Sequence, residues 1–220
     1  MTSNSELQRF DKLFVSLRYY LIGMASADPR YKNTLEMLEF AKDIHTGVRK
    51  DGFTPEFQHQ IEIAHYIRTI GSSLINPAMV IGICLGHDIL EDYSAIAPFV
   101  TLEELASHVG NEMADECMIL SKEYQGKKLD TRTYYTNLQN SPHGSIAKGG
   151  DRIHNQNSMT NVFSNEKQLS YVKETEDFVL PMIKAARRKH FSQEPAYENI
   201  KFVLRSQISF VKAYVVSPAQ

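Results

Sequence analysis

Along almost the whole chain, apolar residues return every three or four positions and hardly anywhere every second one, which commits it to helices rather than strands. Leu7, Phe10, Phe14, Leu17 and Leu21 predict a first amphipathic helix of about six turns, and Leu35, Leu38, Ala41 and Ile44 predict a second. A polar loop over 47–53 follows, with a turn at Asp51-Gly52. Thr54-Pro55 and Asn76-Pro77 each pair a capping side chain with proline at a first helical position. The first precedes Ile61, Ala64, Tyr66 and Ile67, and the second precedes the apolar run 78–90. Thr101-Leu102-Glu103-Glu104 is a capping box, and Ser141-Pro142 opens the helix that carries Asp151. Two long closing helices are expected over 167–189, kinked at Pro181, and over 196–216. Residues 121–130 are polar and glycine-interrupted and suggest no element of their own. The expected fold is all-α, one compact multi-helical domain over 1–220.

Composition narrows the function classes. Formal net charge is −2, so nothing global points to nucleic acid or an anionic membrane surface. An anionic substrate must then be held by a local cluster of cations. Cys84 and Cys117 lie in apolar stretches and read as reduced, buried thiols. No run approaches the roughly 20 apolar residues of a membrane span. Glu6, Arg9, Asp11, Lys12 and Arg18 interrupt any signal-peptide core, so the cytoplasm is the expected location.

The chemistry concentrates at His87-Asp88-Ile89-Leu90-Glu91-Asp92, with His59 upstream and Asp151 downstream. Two imidazoles and two carboxylates can close around one divalent cation and leave positions open to water. His87 and Asp88 end an almost uncharged stretch, where an unpaired carboxylate would be costly and a metal ion would compensate it. A nitrogen/oxygen donor set without thiolate favours manganese, iron or zinc over a closed structural zinc site. Glu91 lies four residues beyond His87 and Asp92 four beyond Asp88, so persistent helicity would stack the acids over the ligand pair. Acids at a helix C-terminus oppose the macrodipole, which disfavours a purely structural role. Lys148 and Asn155 share a helix face with Asp151; Lys148 suits either a phosphate or a carboxylate. Arg152 points about 100° away and suits an acidic partner. His154 belongs behind the ligands, and His65, His108, His143 and His190 show no acidic partner in sequence.

Three blocks, in order, resemble the Rel/Spo-type alarmone hydrolase domain of the HD phosphohydrolase superfamily. They are His45-Thr46-Gly47-Val48-Arg49-Lys50-Asp51-Gly52 with Pro55 and His59, then His87 to Asp92, then Lys148-Gly149-Gly150-Asp151-Arg152-Ile153-His154-Asn155. The likeness covers about 32–160, leaves 161–220 outside it, and implies a stand-alone small alarmone hydrolase. It implies that His59, His87, Asp88 and Asp151 bind manganese, and that Glu91 and Asp92 activate and orient water. Arg49 would stack on the base, Lys50 would lie nearer phosphate, and Asn155 would contact the nucleoside. The implied reaction removes pyrophosphate from the 3′ position of guanosine tetra- or pentaphosphate. The sequence departs from the pattern in a loop before His59 that is one residue longer, in Gly149-Gly150, and in Gln156-Asn157-Ser158-Met159. These changes leave the metal set alone and bear on base specificity. The partner is then a small nucleotide, with no nucleic acid or membrane; oligomeric state is unspecified. The rival readings are another HD-type nucleotide phosphohydrolase, including one acting on adenine alarmones, and a non-catalytic binding module.

Overall fold

The computed structural model describes residues 4–160 and 162–216. The fold is all-α, as the apolar spacing requires. Helix α1 (Asn4–Ala27) packs on α2 (Tyr31–Ile44) and α3 (Gln58–Thr69), and those two pack on α4 (Pro77–Gly86). Every residue of α4 after Pro77 is buried, which is why its sequence is apolar on all sides. Asn76 Oδ1 accepts from Met79 N at 3.1 Å, and Pro77 occupies the position where a missing N–H costs nothing. Helices α5 (Leu102–Val109) and α6 (Asn111–Leu120) follow; Thr101 caps α5 by accepting from Glu104 N at 3.1 Å. Residues 121–130, expected to be irregular, hold a small hairpin, β1 (Glu123–Tyr124) against β2 (Lys127–Lys128). Gln125 and Gly126 turn it with φ of 49° and 74°.

Helix α7 (Thr131–Asn140) leads to α8 (Gly144–Ser158), which packs on α3, α4 and α11 (Glu194–Val216). Ser141 starts α8 as expected: its Oγ accepts from Gly144 N at 2.7 Å and donates to Glu116 Oε2 at 2.5 Å. Gly149 allows α11 close access, since a Cβ there would stand 2.7 Å from Ile200 Cγ2. Gly150 does the same for α3, at 3.2 Å from Ile63 Cγ2.

Two expectations need correction. Thr54-Pro55 does not begin α3, which starts at Gln58. The Thr54 hydroxyl donates to Asp51 Oδ2 at 2.6 Å, and Phe53 N and Thr54 N both donate to Asp51 Oδ1. The cap residue is thus consumed by an Asx turn, and Pro55 pairs with Val48 across the loop instead. The helix expected over 167–189 is divided one turn before Pro181. Between α9 (Asn165–Glu174) and α10 (Leu180–Lys189), Thr175–Val179 form a widened π turn, which relieves the carbonyl clash that a proline imposes on the preceding turn.

Candidate metal centre

Four segments deliver the site: His59 from the first turn of α3, His87 and Asp88 from the end of α4, Glu91 and Asp92 from a second π turn (Ile89–Tyr93), and Asp151 from α8. The His87 ring is fixed by its own helix, because Nδ1–H donates to Cys84 O at 2.8 Å. That bond turns Nε2 inward, 3.0 Å from Asp88 Oδ2 and 3.7 Å from Asp151 Oδ1. Although buried, Nε2 makes no hydrogen bond to either carboxylate. His59 Nε2 lies 3.3 Å from Asp151 Oδ1.

An orphaned ring nitrogen among carboxylates is where a cation belongs. Donors sharing one ion at about 2.1 Å stand about 3.0 Å apart at right angles and about 4.2 Å apart when opposite. The separations above fall in that range, and donor atoms of His59, His87 and Asp88 all lie within 4.8 Å of one another. These three residues could hold a metal ion. Asp151 faces both imidazoles but also serves its own helix: Lys148 Nζ stands 2.8 Å from Oδ2, and Asn155 Nδ2 donates to Oδ1 at 2.6 Å.

Burial and neighbouring charges shift the three buried groups in different directions. Burial opposes a charged His87, yet Asp88 and Asp151 outweigh it and raise its pKa well above the usual value. His59, equally buried and beside two other imidazoles, is pushed down to about 3 chiefly by burial. Burial alone would raise Asp151, but Lys148 and the two histidines hold it well below the carboxylate range.

The two acids beyond the ligands part company. Asp92 N still donates to Asp88 O at 2.8 Å, so Asp92 stays over the ligand pair. Desolvation in the cleft, with the like charges of Asp88, Glu91 and Glu56, pushes its carboxyl up to about 6. Glu91 instead turns to the hairpin, where Oε2 accepts from Lys122 N at 2.7 Å. In a regular α-helix each would have stacked over its own ligand, Glu91 over His87 and Asp92 over Asp88; in the widened turn only Asp92 keeps its backbone bond to Asp88 and Glu91 bonds to Lys122.

His59, His87, Asp88 and Asp151 line a cleft of about 500 Å³ together with Arg49, Lys50, Lys148 and Asn155. The Arg49 guanidinium reaches within 3.5 Å of Ser158 Oγ, and Lys50 Nζ lies 5.2 Å above the Phe163 ring. Met159, Val162, Phe163 and Tyr171 form the wall beyond, supplied by the α8–α9 link and α9. Met159 falls in the departing stretch 156–159, whereas Val162, Phe163 and Tyr171 lie beyond the motif-bearing blocks, where sequence spacing gives no placement. Glu56, which accepts from the Tyr93 hydroxyl at 2.7 Å, and Gln60, whose amide reaches Asp88 Oδ2 at 3.3 Å, are further residues with no sequence signal. Arg152 meets the acid its helix face called for, Glu174, at 2.9 Å. His143 does have an acidic partner, Glu116 at 3.1 Å, and His108 has Glu104 at 3.2 Å; the first partner is too distant in sequence to be read from it. No protein-family model and no curated protein matches this chain.

Proposed function

We propose that this protein is a manganese-dependent hydrolase that removes the 3′-pyrophosphate from guanosine tetra- or pentaphosphate. The observation that carries the proposal is the meeting of His59, His87, Asp88 and Asp151 around an unsatisfied His87 Nε2, in a cleft that Asp92 also lines. The choice of substrate and of manganese rests on the Rel/Spo-type motifs, on which these residues fall. A divalent ion held there would supply Lewis acidity and lower the pKa of water towards neutrality.

The chain's own groups account for the other requirements. Asp92 is the proton acceptor, since it lines the cleft beside Asp88 and desolvation with like charges pushes its carboxyl up to about 6, near the pKa a general base needs. Glu91, anchored by the Lys122 amide, orients rather than accepts. Lys50 and Lys148 place positive charge along the cleft for a pyrophosphate, and Arg49 offers a flat guanidinium to a purine.

One observation favours a second reading. The wall formed by Met159, Val162, Phe163 and Tyr171 is apolar and aromatic, and the Asn155 amide is already bonded to Asp151. Such a wall accepts either purine, so an adenine alarmone is the alternative substrate. The test is product analysis with guanosine tetraphosphate, with manganese and then with chelator, beside Asp88→Ala. Metal-dependent release of GDP and pyrophosphate, absent in the variant, is the expected result. Turnover of adenine alarmones alone selects the second reading, and no turnover of either overturns the hydrolase proposal.

A further inference from the structure

Behind His59, on the side away from Asp151, stands a chain of polar contacts that the proposed reaction does not itself require. His59 Nδ1 and His154 Nδ1 are 2.8 Å apart, their rings nearly perpendicular at 69°. His154 Nε2 lies 2.6 Å from Glu62 Oε2, and Arg9 reaches Glu62 Oε1 at 2.6 Å. Three helices contribute: α1 the arginine, α3 both His59 and Glu62, α8 the second imidazole.

The proton positions follow from chemistry. A carboxylate can only accept, so His154 carries its proton on Nε2 and gives it to Glu62. A neutral His154 then presents a bare Nδ1, which accepts from His59. His59 must therefore carry its proton on Nδ1, leaving Nε2 bare and turned towards Asp151 and His87. The opposite arrangement, with a doubly protonated His154, would place a proton on His59 Nε2 and close that position to a metal ion. The Nδ1–Nδ1 contact needs one proton in either arrangement; the Glu62 acceptor behind His154 and the 3.3 Å from His59 Nε2 to Asp151 Oδ1 fit the first.

From this we infer that Glu62 and His154 form a positioning relay that locks His59 in its Nδ1–H tautomer and sets how tightly the site binds a divalent cation. The inference rests on the proposed metal site. The two ligand imidazoles are thereby supported in different ways. His87 donates to a backbone carbonyl of its own helix, whereas His59 is backed by a carboxylate charge delivered through a second ring. Groups behind ligand histidines typically change metal affinity by about 10–100-fold when removed. Glu62 belongs to neither the candidate metal cluster nor the lining of the main cleft; besides His154 it holds Arg9 and accepts from Gln58 Nε2 at 3.1 Å, and its link to His59 Nδ1 runs through His154.

Two measurements separate the relay from the hydrolase reading. Long-range proton–nitrogen NMR of the protein in chelator should find His59 protonated on Nδ1, and His154→Ala should shift it towards a mixture of tautomers. Calorimetric manganese titration should then show His154→Ala and Glu62→Ala weakened by about 10–100-fold. Glu62→Gln keeps an acceptor without the charge, so its loss should be smaller; thermal melts in chelator check that each variant is folded. A proton on His59 Nε2 in the wild type overturns the relay, as does wild-type affinity in all three variants. Wild-type protein that binds no manganese, with His59 still protonated on Nδ1, overturns the metal-dependent reading and the relay's assigned role together.

Discussion

Lys148 shows how one side chain can serve stability and chemistry at once. Its ammonium is largely buried, 2.8 Å from Asp151 Oδ2. Burial disfavours its charge, but Asp151 more than compensates and raises its pKa well above the usual value. Lys148→Met should destabilise the protein in chelator by about 3 kcal/mol, because a buried carboxylate is left without its partner. Manganese should stabilise the variant more than the wild type, because the ion takes over the neutralisation of Asp151. Urea unfolding with and without the metal reads both effects, and unchanged stability in chelator would show that the pair contributes nothing. The cysteines are a simpler case. Cys84 and Cys117 are free and buried, and burial raises both thiol pKa values. Neither should react with a disulfide reagent in the native state, whereas both should in denaturant; native labelling would contradict the packing.

At the scale of elements, the glycines divide by what they face. A Cβ at Gly149 would press on Ile200 at 2.7 Å and Ile183 at 3.2 Å, both buried and branched, on two different helices. A Cβ at Gly82 would meet the Met113 thioether and methyl, the free end of a flexible chain. Replacing a mid-helix glycine by alanine gains about 1 kcal/mol in propensity, whereas overpacking costs about 1–3 kcal/mol. Gly149→Ala should therefore lose about 1 kcal/mol net, and Gly82→Ala should be neutral or stabilising. Thermal or urea melts decide it, and loss in both would mean that Met113 cannot give way. The same division between local and distant partners governs what the sequence could reveal. The start of α4 was legible because Asn76 caps three residues on and α4 is buried on every side. Thr54 misled because its hydroxyl had a nearer competitor in Asp51. The convergence of His59, His87, Asp88 and Asp151 was legible from donor chemistry and motif. His154 and Glu62 lie 92 residues apart and Glu116 and His143 27, and no local pattern encodes such contacts.

Across the whole molecule, α8 is held in place by carboxylates that other elements direct at it. Glu116 of α6 grips Ser141 and His143 at the helix start, Glu174 of α9 meets Arg152, and Glu62 of α3 meets His154. Burial alone would raise all three carboxyl pKa values. His143 and Ser141 outweigh it for Glu116, Arg152 for Glu174 and His154 for Glu62, so each is lowered from the ordinary 4.5. A carboxylate whose pKa is lower in the folded than in the unfolded chain stabilises the fold fully above the unfolded value. That contribution is lost as pH falls through 4.5 towards the folded value. In chelator, these three groups predict a steep fall of the urea midpoint once pH drops below about 4.5. Glu116→Gln should lower the midpoint at neutral pH and make the acid limb shallower, since one of the linked protons is gone. Parallel acid limbs in variant and wild type would remove Glu116 from the linkage. Because all three carboxylates converge on the helix that carries Asp151, the site helix and its surroundings should loosen over the same pH interval. Hydrogen exchange should therefore rise first along α8 as the protein is acidified, ahead of the α4 amides that every neighbour covers.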